Sequence, residues 1–149
     1  MAVIDVLGLD HVVLRVADTE RARAWYQRVL GCAIERALPS LGLTQLRAGS
    51  ALIDLIDVNG PESGKGGAAP GPERRNMDHF CVQLATFDEA EIVAHLRHCG
   101  VEPGIVSRRY GALGHGPSMY LTDPDGNTVE LKGPPDPDQA ESLPDAIRP

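Results

Sequence analysis

The chain of 149 residues carries a formal net charge of −7, and 42% of its residues are hydrophobic but only 4% are aromatic. This length suits one domain, or two very small modules that share a core. The acidic balance argues against nucleic-acid binding, which needs a basic face, and against binding to anionic membranes. Three cysteines without CxxC spacing predict neither a disulfide framework nor a zinc knuckle. No segment approaches the roughly 20 apolar residues of a membrane span, so the sequence predicts a cytoplasmic protein.

The first half of the chain predicts the element order βαβββ. The segment HVVLRV, which begins at His11, alternates in the way that a strand does. Asp18 or Thr19 can cap a helix, whose apolar residues recur at helical spacing until Gly31 ends it. Three strands are expected after this helix, near 33–37, 43–47 and 51–58.

The second half of the chain predicts the same order again. The segment HFCVQL begins at His79, a helix begins near Asp88, and Gly100 ends it. A strand near 104–107 leads into a glycine-rich loop, YGALGHGP. The strands SMYLTD and TVELK follow, joined by the turn DPDGN.

The two halves indicate an internal duplication within a single domain. His11 and His79 are 68 residues apart and open equivalent strands. Between the halves, a glycine- and proline-rich stretch without apolar periodicity predicts a flexible linker. The expected boundaries are one domain over 1–132, module 1 over about 7–58, the linker over 59–76, module 2 over about 77–132, and a flexible tail or dimer arm over 133–149.

Each module offers one histidine and one carboxylate at matching places. His11 and His79 open the first strand, while Asp54 and Glu130 interrupt the apolar residues of the last strand. A carboxylate in an apolar strand is costly to bury without a partner. Two imidazoles and two carboxylates suit a divalent first-row ion such as Ni, Co, Zn, Mn or Fe(II). A histidine that opens a strand is also common as a plain polar residue at a sheet rim, and the residues alone leave both interpretations open.

Several stretches resemble the vicinal oxygen chelate superfamily, which includes glyoxalase I, methylmalonyl-CoA epimerase, fosfomycin-resistance thiol transferases, extradiol dioxygenases and bleomycin-binding proteins. They are LDHVVLRVAD, AWYQRVLG, ALIDLID, MDHFCVQL and YLTDPDGNTVELK, in this order within residues 7–132. DPDGN followed by VEL is a characteristic ending of this superfamily. The resemblance is closest to glyoxalase I-like proteins in its ligand pattern. It implies an α+β fold in which tandem βαβββ modules form a curved mixed sheet around a metal cavity.

The resemblance names His11, Asp54, His79 and Glu130 as the ligands of a divalent metal ion. Such a site is shared between subunits in glyoxalase-type dimers, so a homodimer is implied, although one chain could close its own site. Asp54 is one methylene shorter than the Glu or Gln common in glyoxalases and epimerases. It would coordinate directly, through water, or not at all. In the last case the other three residues would form a two-histidine, one-carboxylate face.

The resemblance also implies a reaction. It points to a glyoxalase I-like lyase or isomerase that acts on a small substrate through bidentate oxygen chelation, with glutathione or another thiol as co-substrate and a glutathione hemithioacetal as a candidate substrate. Glu130 would be the catalytic base as well as a ligand, or a ligand alone. Arg15 projects to the same side of its strand as His11 and resembles the arginine that binds a glutathione carboxylate. Pairing with a local acidic residue explains Arg15 equally well.

Three alternative functions remain open at this point. Ser118 and Tyr120 share a face of SMYLTD and resemble the hydroxyls that approach the phosphonate in fosfomycin-modifying enzymes, which favours a thiol transferase. Those enzymes generally lack a carboxylate where Asp54 stands. A non-catalytic drug-binding protein is disfavoured by the four ligand-type residues. An extradiol dioxygenase is disfavoured because those enzymes usually have a longer, two-domain arrangement.

Overall fold

The computed structural model describes residues 9–63 and 67–140, and the chain divides into two compact units, Met1–Asn76 and Met77–Pro149. The two units repeat the order strand, helix, three strands, so the predicted tandem βαβββ order and the α+β class are confirmed. Unit 1 contains β1 (His11–Val16), α1 (Thr19–Leu30), β2 (Ala33–Leu38), β3 (Leu43–Ala48) and β4 (Ala51–Asp57). Unit 2 contains β5 (Phe80–Gln83), α2 (Glu89–His98), β6 (Ser107–Gly111), β7 (Gly114–Thr122), β8 (Thr128–Lys132) and the short helix α3 (Pro137–Ala140). None of the helices in these ranges is long and apolar enough to cross a membrane.

Each unit forms a four-stranded mixed sheet in which the first strand pairs in parallel with the last. The strand orders are β1-β4-β3-β2 and β5-β8-β7-β6. Val13 lies opposite Asp54 in unit 1, and Cys81 lies opposite Glu130 in unit 2. His11 comes two residues before Val13, and His79 comes two residues before Cys81. The histidine and the carboxylate therefore hold the same relative position in both sheets.

The core of unit 1 lies between α1 and one face of its sheet. Asp18 caps α1 by accepting a hydrogen bond from the backbone N–H of Arg21, and Gly31 ends the helix at a φ of 69°. Side chains at helical spacing on α1 then face apolar side chains that alternate along the strands. The buried set is Leu14, Val16, Ala22, Trp25, Tyr26, Val29, Leu46, Ile53 and Leu55.

The turn DPDGN fixes where β8 begins in unit 2. The buried Asp123 accepts backbone hydrogen bonds from Asp125 at 2.9 Å and from Asn127 at 2.8 Å through Oδ1. Its Oδ2 accepts a third hydrogen bond, at 2.8 Å, from Nδ2 of Asn127. Gly126 has a φ of 82°, which a glycine adopts without steric cost. The turn thereby sets the register that places Glu130 opposite Tyr120 on β7.

The predictions of a strand near 104–107 and of a glycine-rich loop after it are wrong. The strand β6 begins at Ser107 and pairs with β7 as a hairpin that closes between Gly111 and Gly114. A Cβ at Gly111 would lie 3.2 Å from Cε of Lys132, and one at Gly116 would lie 2.9 Å from its Nζ. These glycines therefore allow close packing over a lysine side chain, which composition alone does not distinguish from a loop.

The stretch 59–76, predicted as a flexible linker, has local structure in unit 1. Residues Pro61–Ser63 form a 3₁₀ turn, and Gly71 and Arg74 form an isolated β-bridge. Nδ2 of Asn76 donates a hydrogen bond of 3.0 Å to the carbonyl of Arg15. Residues 64–66 lie outside the described ranges.

The beginning of the predicted tail packs beside β7. The backbone N–H of Gly133 donates to the carbonyl of Pro117, and that of Asp136 donates to the carbonyl of His115, each at 2.8 Å. This segment leads into α3. Residues 141–149, and the expected start of module 1 at about residue 7, lie outside the described ranges.

We expect Leu14→Ala to lower the free energy of unfolding by about 2–5 kcal/mol, because Leu14 is fully buried and its truncation leaves a cavity. Val13→Ala is the matched control, because Val13 is on the same strand but is 42% exposed. Urea denaturation followed by circular dichroism measures both changes. Equal losses in the two variants would contradict the placement of the core.

Candidate functional site

The Asp-His dipeptide that opens each unit fixes the orientation of an imidazole. Nδ1 of His11 lies 2.6 Å from Oδ1 of Asp10, and Nδ1 of His79 lies 2.5 Å from Oδ1 of Asp78. An ionised carboxylate only accepts hydrogen bonds, so Nδ1 carries the proton of the neutral ring and Nε2 keeps a free electron pair. The pKa of His11 is raised, chiefly by the hydrogen bond with Asp10 and further by the negative charge of Asp54.

The carboxylate of Asp54 is buried in β4, with 5% of the residue exposed. Its Oδ2 accepts a hydrogen bond of 2.7 Å from Nε2 of Gln45 on β3. Its Oδ1 is buried and has no hydrogen-bond partner in the described part of the chain. A buried ionised oxygen without a partner is unfavourable unless it binds a proton donor or a cation. Asp54 therefore has one oxygen suited to a metal ion.

The carboxylate of Glu130 is buried in β8, with 7% of the residue exposed. Its Oε1 accepts a hydrogen bond from the hydroxyl of Ser118. Its Oε2 lies 3.3 Å from Nε2 of His79. With Nδ1 of His79 protonated, these two atoms are both electron-pair donors, and two ligands about 2.1 Å from one ion lie about 3 Å apart. The pair therefore has a separation that fits a shared cation.

Arg109 and Tyr120 extend the group of side chains around Glu130 and Ser118 on the sheet of unit 2. Nη1 of Arg109 donates to Oγ of Ser118 at 3.0 Å and to its carbonyl at 3.1 Å. The guanidinium carbon of Arg109 lies 4.3 Å from the ring centroid of Tyr120, and the Tyr120 ring meets His79 edge-on at 5.4 Å. The structure thus brings the predicted Ser118 and Tyr120 to Glu130 and His79, and it adds Arg109.

Arg15, the predicted substrate-binding arginine, contacts the stretch that follows β4. Its Nη2 donates to the carbonyl of Gly67 at 2.5 Å, and its Nη1 donates to the carbonyl of Ala68 at 3.2 Å. A role in binding a substrate carboxylate stays a prediction.

Each unit presents one histidine-carboxylate pair. Within residues 9–63 and 67–140, no three His, Cys, Asp or Glu side chains lie close enough together to hold an ion. The set of four ligands, His11, Asp54, His79 and Glu130, stays a prediction.

Sequence reasoning missed Gln45 and Arg109, which contact the predicted Asp54 and Ser118, and Arg36, which contacts Gln45. Nε of Arg36 donates to Oε1 of Gln45, which in turn holds Asp54. The only signal in the sequence is a polar residue inside the apolar strand LTQLRA. Its meaning depends on strand register, which the local pattern does not specify.

The profile of the Glyoxalase/Bleomycin resistance protein/Dioxygenase superfamily matches residues 8–131. The chain belongs to this superfamily. The recognition made from the sequence motifs is therefore confirmed, and the expected glyoxalase-like fold agrees with the two sheets described above.

Proteins similar to this chain carry the names of different enzymes. Mitochondrial methylmalonyl-CoA epimerase from Bos taurus is 27% identical over 130 residues, which covers 83% of this chain and 73% of that protein. Lactoylglutathione lyase from Agrobacterium tumefaciens has a crystal structure that matches with a TM-score of 0.61 at 24% identity, covering 86% of this chain and 94% of that one. The fosfomycin resistance protein FosX from Listeria monocytogenes matches with a TM-score of 0.63 at 18% identity, covering 91% and 98%. The two structural likenesses establish a shared fold and not a shared reaction.

We expect Asp54→Asn to raise the free energy of unfolding of chelator-treated protein by about 1 kcal/mol, because a neutral amide is less costly to bury than a carboxylate with one unpartnered oxygen. Urea denaturation at a pH at which His11 is neutral measures the change. The control is Asp57→Asn at the end of the same strand, whose carboxylate accepts a hydrogen bond from the backbone of Asn59. A loss of stability in Asp54→Asn comparable to that of a core truncation would contradict this account of the carboxylate.

Proposed function

We propose that this protein is a metal-dependent lyase or isomerase of the glyoxalase I type, which moves a proton on a small substrate. The observation that carries the proposal is the repeated geometry of the two units. In each, a histidine whose Nδ1 contacts the preceding aspartate lies diagonally across from a buried carboxylate on the paired strand. Oδ1 of Asp54 has no hydrogen-bond partner among the described residues, and Oε2 of Glu130 lies 3.3 Å from Nε2 of His79.

The chemistry of the donor set fits a divalent ion. His11 and Asp54 from unit 1 and His79 and Glu130 from unit 2 would supply two nitrogens and two oxygens, which suits Ni, Co, Zn, Mn or Fe(II). We propose that one ion binds both pairs, which come either from one chain or from two copies in a homodimer. When bound, the ion would act as a Lewis acid toward two neighbouring substrate oxygens.

Glu130 is the proposed base. The hydroxyl of Ser118 holds Oε1, so Oε2 is the oxygen that faces His79 and can take a proton from a substrate carbon. Burial strengthens this role because a carboxylate shielded from water keeps its electron pair for the substrate. A base held at one oxygen can return the proton to a neighbouring carbon without reorienting.

Two substrate classes fit this reaction. A glutathione hemithioacetal is the substrate expected from the glyoxalase pattern, and the lactoylglutathione lyase from Agrobacterium tumefaciens shares the fold. The likeness to methylmalonyl-CoA epimerase adds an acyl thioester whose acidic carbon lies beside the carbonyl. Both need a base that removes a proton and returns it, and both present two oxygens that one ion can chelate.

A thiol transferase of the fosfomycin-resistance type is the second candidate. The cluster of Arg109, Ser118 and Tyr120 favours it, because a guanidinium that contacts the Ser118 hydroxyl and lies over the Tyr120 ring suits an anionic phosphonate. The buried Asp54, with its available oxygen, favours the four-ligand pattern instead. The extradiol dioxygenase and the non-catalytic drug-binding protein become outcomes of the experiments below.

We expect His79→Ala to lose the bound divalent ion, because it removes the nitrogen that faces Oε2 of Glu130. Metal analysis of protein reconstituted with Co²⁺ or Ni²⁺ measures the occupancy. His98→Ala, on the exposed surface of α2, is the control and should retain the ion. Unchanged occupancy in His79→Ala would refute the ligand assignment.

We expect Glu130→Gln to lower kcat by at least about 10²-fold, because an amide cannot accept the proton. The measurement is turnover of a methylglyoxal-glutathione hemithioacetal and, separately, exchange of the acidic hydrogen of methylmalonyl-CoA in D₂O. Glu102→Gln, at an exposed position after α2, is the control.

The same assays separate the alternatives. Thiol addition to fosfomycin without turnover of either carbonyl substrate would support the thiol transferase. Ring cleavage of a catechol with Fe(II) would support the dioxygenase. Tight drug binding with no turnover under any metal would support the sequestering protein.

A further inference from the structure

A row of three side chains crosses the sheet of unit 1 and ends at Asp54. Arg36, Gln45 and Asp54 lie directly opposite one another on β2, β3 and β4. Nε of Arg36 donates to Oε1 of Gln45, and Nε2 of Gln45 donates to Oδ2 of Asp54. Arginine has no acceptor, so its hydrogen bond forces the amide oxygen of Gln45 toward β2 and the amide N–H toward the carboxylate.

A β-bulge is what brings Arg36 into this row. The pairing runs Ala33 with Arg47 and Ile34 with Leu46, and then shifts by one residue so that Arg36 faces Gln45. Without the shift, Glu35 would stand opposite Gln45 and place a second carboxylate in the row. A bulge redirects the side chains that follow it in this way.

Unit 2 contains a similar series of an arginine, a neutral group and a carboxylate, built from different residues. Nη1 of Arg109 on β6 donates to Oγ of Ser118 on β7, and the Ser118 hydroxyl donates to Oε1 of Glu130 on β8. A hydroxyl has one hydrogen, and because the arginine N–H occupies an acceptor position of Oγ, that hydrogen is directed to Glu130. Here the connections run diagonally across the strands, since Ser118 lies opposite Lys132.

In both units a neutral group separates the arginine from the carboxylate. A guanidinium in direct contact would bind both carboxylate oxygens and compete with a cation for them. An amide or hydroxyl between the two holds one oxygen and leaves the negative charge on the other. The arginine then sets the orientation of the carboxylate through its neutral neighbour.

We propose that Arg36 and Arg109 are positioning residues, which orient the carboxylates of Asp54 and Glu130 through Gln45 and Ser118 so that Oδ1 and Oε2 face a divalent cation. This inference rests on the proposed metal dependence and adds residues that act on the ligands without touching the ion. The neutral residue between arginine and carboxylate is Gln45 in unit 1 and Ser118 in unit 2. The two units therefore share a neutral hydrogen-bond donor to the carboxylate but not the residue type that supplies it.

The direction in which the Arg109→Met substitution changes the affinity for a metal ion tests this role. Removing a positive charge near a cation site would by Coulomb's law tighten metal binding. If Arg109 positions the carboxylate, its removal should instead weaken metal binding. We expect Arg109→Met to raise the Kd for Co²⁺ about tenfold, the lower end of the effect of substitutions behind metal ligands. The measurement is calorimetric titration of the chelator-treated full chain with CoCl₂. Arg36→Met should act in the same direction.

A double-mutant cycle distinguishes positioning from a general structural effect. Ser118→Ala should also raise the Kd about tenfold, and Arg109→Met added to Ser118→Ala should raise it no further, because Arg109 acts through that hydroxyl. Arg108→Met, which removes a neighbouring charge paired with Asp136, is the control and should not weaken binding. Melting temperatures of all variants check that each is folded.

The outcomes separate this inference from the proposed function. Unchanged or tighter Co²⁺ binding in Arg109→Met, with tight binding in the wild type, would overturn the positioning role and leave the metal dependence standing. Additive losses in the double variant would also overturn it. A wild-type protein that binds none of Co²⁺, Ni²⁺, Mn²⁺ or Zn²⁺ would overturn the proposed function, and the inference with it.

Discussion

The candidate site depends on two carboxylates that are buried within apolar strands and accept hydrogen bonds from neutral side chains on the neighbouring strand. Asp54 and Glu130 are both more than nine-tenths buried, and they accept hydrogen bonds from the amide of Gln45 and the hydroxyl of Ser118 respectively. Such an arrangement is unfavourable for folding because water solvates a carboxylate better than these neutral donors do. The cost is typical of functional sites, where a group is kept ready for a ligand at the expense of stability.

Strand pairing is what makes this arrangement possible twice in one chain. The first strand of each sheet runs parallel to the last, so the histidine at its start lies diagonally across from the carboxylate. Asp10 and Asp78 then orient the two imidazoles from the exposed rim. The strand register places each carboxylate near a histidine, and the aspartate before the histidine sets the tautomer of the imidazole. Together they leave electron pairs of imidazole and carboxylate on the same side of the sheet.

The sequence predicted the parts that follow from local periodicity. Alternation with a period of two marked His11, His79, Asp54 and Glu130 as candidate ligands, because each is a polar residue that opens or interrupts an apolar strand, which can be read without knowledge of its neighbours. Gln45 could not be recognised in this way, since its role depends on a shift of register between two other strands. The β6–β7 hairpin was also missed, because glycines that pack over a lysine have the same composition as glycines in a loop.

The spacing between corresponding residues of the two halves is not constant along the chain. His11 and His79 are 68 residues apart, but Arg36 and Arg109 are 73 apart, and Asp54 and Glu130 are 76 apart. An alignment of the halves at a constant offset would pair Asp54 with Thr122 and would miss the correspondence altogether. Equivalence by sequence position and equivalence by strand pairing therefore differ, and the counterpart of Asp54 in the other half is found by following the pairing of the first strand with the last.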